Sequence, residues 1–239
     1  MKRHFIPLIA ALIAISVSTS THAQIAVGPK AGVNFNSFRK SETFRNYFDP
    51  VGGFNVGGFA KYPVMDFLNA RVELLYFQQG GNLYDYRVIN ELYRSDAKVK
   101  FHNFEVPVLA EFGLPSLKED PLQPKLLLGA CYSYTVYARE TFTNIVKISG
   151  RDKISYDGFL NSDGQFNKGQ IGLIGGLAAE MKMFNVPVTL EFRYQYNLTR
   201  ANKAGTQNSY NLQNTTEKWG NELKLHTLSI NVAATLFYF

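Results

Sequence analysis

The sequence predicts an all-β protein: a single eight-stranded antiparallel transmembrane β-barrel, wound as an up-and-down meander. Three observations lead to that reading. Apolar and polar side chains alternate with period 2 in eight separate segments. The links between those segments alternate short and long, and the first 23 residues have the make-up of a cleavable secretory signal.

Residues 1–23 open with Lys2 and Arg3, run through an apolar stretch from Phe5 to Val17, and end on small residues that include Thr21 and Ala23. That stretch is too short to span a bilayer and precedes a small-residue cleavage pattern, so residues 1–23 are read as a signal peptide and Gln24 as the mature start. No cysteine follows the cleavage point, so no lipid anchor is expected there. Beyond the signal, no window approaches the roughly 18 uninterrupted apolar residues of a spanning helix. A mature chain that crosses a membrane must therefore do so as a closed barrel. Residues 24–239 are assigned to one outer-membrane β-barrel domain, with no internal repeat or low-complexity tract.

The predicted strands run Ile25–Ser37, Gly52–Tyr62, Ala70–Gln79, Val99–Phe112, Pro124–Tyr137, Gly169–Met183, Pro187–Leu198 and Leu223–Phe239. The seventh is the clearest. Val188, Leu190, Phe192, Tyr194, Tyr196 and Leu198 share one face, and Thr189, Glu191, Arg193, Gln195 and Asn197 share the other, a pattern no helix of 3.6-residue period would produce. Short links are expected at Pro63–Asn69, Gly113–Gln123 and Phe184–Val186. Long polar ones are expected at Phe38–Val51, Gly80–Lys98, Ala138–Lys168 and Thr199–Glu222. Short turns on one side and long loops on the other form the outer-membrane pattern, and an even strand count places both termini in the periplasm.

Composition agrees. Hydrophobic residues make up 46% of the chain and aromatics 14%, yet the mean hydropathy is only -0.14, as expected for strands that average an apolar face with a polar one. The formal charge of +6 becomes +4 when Lys2 and Arg3 leave with the signal, and the remaining cations are scattered among acids. No nucleic-acid partner is expected from that distribution. The single cysteine, Cys131, cannot form an intramolecular disulfide and reads as a small, inert strand residue.

The phase assignment sorts the aromatics. Tyr76, Phe77, Phe101, Tyr132, Tyr134, Tyr194 and Tyr196 are expected near the outer interface, and Tyr62, Phe67, Phe112, Phe184 and Tyr238 near the inner one. The inward face is predicted to carry Lys30, Lys61, Arg71, Lys182 and Arg193 against Glu73, Glu105, Glu111, Glu180 and Glu191. An eight-stranded barrel is just wide enough to be filled by such side chains, which argues against an open channel. The terminal run from Leu225 to Phe239 ends on an aromatic, as bacterial outer-membrane barrels do. The outward phase of Leu228, Ile230, Val232, Ala234, Leu236 and Tyr238, however, leaves Phe239 one step out of register.

The segments VGPKAGVNFNSF, HNFEVPVLAEFG, LQPKLLLGACYSY and TLEFRYQYNLT resemble the PorT-like outer-membrane β-barrel family of Bacteroidetes. The resemblance covers nearly the whole mature length and rests on strand patterns. It implies a small barrel of the cell envelope, with one branch associated with protein export machinery. Pro107 interrupts a strand that has no free edge, so a bulge is expected there.

No catalytic or cofactor-binding motif is present. Gly172–Gly176, GLIGG, lacks the flanking helix of a dinucleotide fingerprint, and its glycines are read as letting a strand bend or letting side chains opposite fit inside the barrel. Glu105 and Glu111 have the residue type for acid–base work but have cationic neighbours and no nucleophile beside them. His102 and His226 fall on the outward phase of opposite strands and cannot form one site. The chain is thus expected to be no enzyme and to have no catalytic, metal-binding or cofactor-binding residues. Its expected role is structural or interactive, through long extracellular loops that meet a partner, outer-membrane lipid or the lipopolysaccharide surface. The alternative is an accessory of a secretion system; a soluble ligand-binding barrel and an outer-membrane enzyme stand behind both. The β-branched and aromatic run Thr141–Ser149 predicts strands that continue beyond the membrane as a hairpin arm, and Trp219 in the following loop is a candidate contact.

Overall fold

The computed structural model describes residues 24–38, 50–90, 93–113, 122–148, 151–161, 166–201 and 224–239. The predicted signal peptide lies outside the described residues, as do Glu119, Ser149, Gly205 and Trp219. The strands are β1 (Ala26–Phe38), β2 (Val51–Met65), β3 (Leu68–Asn90), β4 (Tyr93–Gly113), β5 (Leu122–Ile148), β6 (Arg151–Asn161), β7 (Gly169–Met183), β8 (Val186–Asn197), β9 (Leu225–Ala234) and β10 (Phe237–Tyr238). Antiparallel pairing follows the order β1-β2-β3-β4-β5-β7-β8-β9, and β9 pairs back onto β1 from Lys30↔Ala233 to Phe38↔Leu225. The result is a closed eight-stranded meander, with no helix among the described residues, and closure removes every strand edge within the barrel wall. Val33, Val56, Leu74, Val108, Leu128, Leu173, Phe192 and Val232 lie exposed on its outside. Lys30, Arg71, Glu73, Glu105, Glu111 and Glu191 lie buried within. This arrangement is opposite to that of a soluble barrel, which rules against the ligand-binding alternative.

Among the described residues, strand continues into the segments expected as the long loops Gly80–Lys98 and Ala138–Lys168; the other two expected loops lie mostly outside the described residues. β3 and β4 continue past Gln79 and Val99 as a hairpin that reaches Asn90↔Tyr93. β5 runs on to Ile148 and turns back as β6, with pairing from Arg139↔Asn161 to Ile148↔Arg151, the arm anticipated from Thr141–Ser149. Along β5 the neighbour therefore changes from β7, at Leu122 to Tyr134, to β6, from Arg139 onward.

At the opposite end, where the two described termini meet, the turns are tight. Asp66–Phe67 joins β2 to β3, and Phe184–Asn185 joins β7 to β8. Both Phe184 (φ 51°) and Asn185 (φ 65°) are left-handed. That is the signature of a type I′ hairpin, whose twist matches its flanking strands.

The irregularities differ from those expected. Pro107 causes no bulge: it pairs with Cys131 on the β5 side. Towards β3 the ladder only lapses between Val72↔Val108 and Leu75↔Glu105, with the register unchanged. The β4–β5 bulge sits instead at Val136, because His102 pairs with Tyr137 and Asn103 with Thr135. A second irregularity separates β9 from β10. The Thr235 N–H donates to the Pro187 carbonyl at 2.9 Å and the Leu236 N–H to the Val27 carbonyl at 3.0 Å. Beyond them Phe237 pairs with Val27 and Tyr238 with Ala26. This insertion restores Phe239 to the outward phase, opposite Ile25, and gives Tyr238 the lumen phase it was not expected to have.

Candidate functional site

The lumen is layered from the terminal end to the distal end. Nearest the termini, Lys125 bridges Glu111 and Glu180, each at 2.7 Å, and Lys61 reaches Glu180 at 3.0 Å. Next, Lys30, Arg71 and Arg193 converge on the carboxylates of Glu73 and Glu191. Lys30 meets both at 2.9 Å. Arg71 meets them at 2.8 and 2.6 Å, and Arg193 meets both at 2.7 Å. The Arg71 guanidinium also lies over the Phe59 ring, 4.3 Å from its centroid. Each carboxylate thus faces several cations, the condition under which charges persist away from water. Lys125 is an inward cation that the sequence reading did not assign. Lys182, assigned inward, is exposed and takes no part in the ion pairs described.

Room for these long side chains comes from β7. A Cβ on Gly176 would approach the Arg193 Cγ to 3.1 Å and the Phe192 carbonyl to 2.6 Å. One on Gly172 would come within 2.8 Å of the Asn197 Oδ1. Gly172 and Gly176 of GLIGG are therefore spacers for the opposed side chains, whereas a Cβ on Gly175 would meet only the Leu128 Cδ2 at 3.9 Å.

Above the ions lies an uncharged polar layer. Asn55 donates to Asn34 and Asn231, each at 2.8 Å; Asn197 donates to Gln170 at 2.7 Å, and Thr227 to Asn36 at 2.8 Å. Glu105 accepts from Ser133 and from Gln195. It shares no partner with Glu111, so the two carboxylates do not form a pair. A cavity of about 10 Å³ bordered by Lys30, Phe77, Glu105 and Arg193 separates these layers, room for about one water molecule.

The distal end is closed by apolar side chains. Val99, Phe101, Ala138, Phe166, Ala201 and Leu225 are buried together, with Phe38 packed against them. Phe101 stacks edge-on with Phe166 at 4.8 Å between ring centroids. Phe101 and Phe77 were expected in the outer aromatic girdle; both are buried in the lumen because they occupy the phase of Glu105 and Glu73. The remaining aromatics expected in that girdle keep the outward phase, and Tyr132, Tyr134 and Tyr194 are exposed.

On the exterior, His102 and His226 each join a tyrosine of the neighbouring strand. His102 Nδ1 contacts the Tyr76 hydroxyl, and His226 Nδ1 the Tyr194 hydroxyl at 3.2 Å. Each is a diagonal cross-strand partner, since His102 stands opposite Gln78 and His226 opposite Tyr196. The two histidines remain on opposite walls. Cys131 is buried facing the lumen beside Leu109 and Ile174. Among the described residues, no cluster of His, Cys, Asp and Glu is spaced to hold a metal ion.

Residues 18–202 match the family of outer membrane protein beta-barrel domains. The chain belongs to that family. Its members are barrels of the bacterial outer membrane, which agrees with the apolar exterior and polar lumen. Among solved structures, the chain is similar to Neisserial surface protein A at 18% identity, covering 89% of this chain and 97% of that one with a TM-score of 0.42. It is similar to Ail, the attachment invasion locus protein of Yersinia pestis, at 12% identity, covering 90% and 100% with a TM-score of 0.40. A major outer membrane protein from Thermus thermophilus matches at 12% identity, covering 90% and 99% with a TM-score of 0.44. No curated protein matches the chain.

Proposed function

We propose that this outer-membrane barrel is a non-conducting, non-catalytic interaction protein, with both termini in the periplasm and its binding surface on the extracellular arms. The observation that carries this reading is the contrast between its two parts. The lumen is filled by neutralised ions, amides and an apolar cap, whereas β3–β4 and β5–β6 extend well beyond the barrel wall. Backbone held in strand pairing outside the membrane offers a preformed surface to a partner or to the lipopolysaccharide layer. Neither a nucleic acid nor a cofactor enters this reading.

A second reading, an accessory of a secretion system, rests on the likeness of VGPKAGVNFNSF, HNFEVPVLAEFG, LQPKLLLGACYSY and TLEFRYQYNLT to PorT-like barrels of Bacteroidetes. Pulldown from the native envelope separates the two by what accompanies the barrel. Deleting Ile145–Leu160 is expected to leave a heat-modifiable, membrane-inserted barrel that has lost its partner. Cysteines at Ser149 or Gly205 are expected to label on intact cells while one at Glu119 does not. Full partner recovery by the deletion variant, or labelling at Glu119 alone, would reject the proposal.

A further inference from the structure

Glu105 stands apart from the acids of the two ionic layers. Lys30, Arg71 and Arg193 share the carboxylates of Glu73 and Glu191. Lys61 and Lys125 share those of Glu111 and Glu180. These layers therefore hold one cation more than they hold acids. Glu105 is 1% exposed and supplies the missing negative charge, yet its carboxylate is held by neutral groups and not by a cation.

Its two hydrogen bonds come from the Ser133 hydroxyl at 2.5 Å and the Gln195 Nε2 at 2.9 Å, and both end on Oε2. Oε1 accepts none from a described residue. An ionised carboxylate offers about four acceptor sites, and leaving one oxygen unmet away from water is costly. The cavity of about 10 Å³ adjoins this group, and its polar border is Lys30, Glu105, Arg193, Gln195, Ser229 and Asn231. Strand register brings them together: Arg193 of β8 stands opposite Ser229 of β9. Two more groups on that border have a donor to spare. The terminal nitrogens of Arg193 are held by Glu73, whereas its buried Nε–H has no partner. The Ser229 hydroxyl accepts from Asn231 Nδ2 at 3.1 Å and donates to no described residue.

We infer that this cavity is a binding site for one water molecule, which donates to Glu105 Oε1 and links that carboxylate to the Lys30 and Arg193 side of the ion cluster. One acceptor and two donors around a space of this size meet the needs of a buried water, which takes roughly two to four polar partners. An inorganic anion is the rival occupant that an excess cation would invite. The Glu105 carboxylate already provides that charge and would repel a second one. Gln195 also donates to Asn197, and Asn197 to Gln170, so the water makes the ions and the amides above them one polar network. The inference does not depend on which side of the membrane the arms occupy.

The test is a crystal structure of the full-length barrel in detergent, grown with sodium bromide in place of chloride. One density peak is expected in the cavity, refining as water within hydrogen-bond reach of Glu105 Oε1 and without an anomalous bromide signal. A cavity without density, or a bromide signal in it, would overturn the assignment. Ser229→Thr gives a second reading, because it keeps the hydroxyl and adds one methyl group at the cavity. That methyl is expected to displace the water and leave Oε1 unpaired, lowering the midpoint of urea unfolding in micelles while heat-modifiable migration is kept. A raised midpoint, the result of filling a dry space, would overturn the inference. The wild-type crystal needs no variant to fold.

Discussion

Arg193 holds Glu73 with both terminal nitrogens, at 2.9 and 2.7 Å, from a strand on the far side of the ring. Removing one member of such a buried set leaves the others uncompensated, which costs on the order of 3–5 kcal/mol. Arg193→Ala is therefore expected to lower the midpoint of urea unfolding sharply in detergent micelles; an unchanged midpoint would show that the lumen ions are dispensable. Gly176→Val belongs to the same neighbourhood, because the added side chain collides with the Arg193 stem and the Phe192 carbonyl. It is expected to destabilise by a comparable route. The lumen side of most of these residues was legible from period-2 alternation alone. Their pairing was not, because Glu73 of β3 and Arg193 of β8 meet across the barrel, where no local pattern reports on proximity. Phe77 and Phe101 were misplaced for a related reason: their aromatic character outweighed the phase that their own strands prescribed.

The Phe184–Asn185 turn shows what a single element tolerates. Phenylalanine in the left-handed region carries a steric penalty that glycine or asparagine largely avoids, and Phe184 is 97% exposed. Phe184→Asn is expected to raise the unfolding free energy in detergent by about 1 kcal/mol; a loss of stability would mean that the ring makes a compensating contact. Existence and order of the eight barrel strands followed from alternation and loop length. Their ends did not. Thr141–Ser149 was readable as strand because β-branched and aromatic residues are dense there. The β3–β4 hairpin was not, since Gly80, Gly81, Asn82 and Asp85 dilute the alternation even though the two strands pair as far as Asn90↔Tyr93. Bulges escaped as well. The ladder lapses beside Pro107 without slipping, whereas the shift at Val136 leaves no mark in composition.

For the molecule as a whole, the proposed lack of conduction rests on the apolar cluster of Phe38, Phe101 and Phe166 and on the ion pairs that fill the lumen. Planar-bilayer recordings are expected to show only small, erratic events, and steady ion-selective current at porin level would contradict this. The join between the two ends of the chain has a separate consequence. β9 spans 10 residues, against 23 in β3 and 27 in β5, and its pairing with β1 stops at Ala233 before resuming across the insertion at Thr235 and Leu236. It also joins residues about as far apart in sequence as this chain allows, Ala26 with Tyr238, so its closure entropy is recovered last. The wall therefore behaves like a ring with one clasp. Amides of β1 and β9 are expected to exchange with deuterium before those of β4 and β5, and on gradual denaturation the cylinder should unfasten there into a curled sheet while its long strands remain paired.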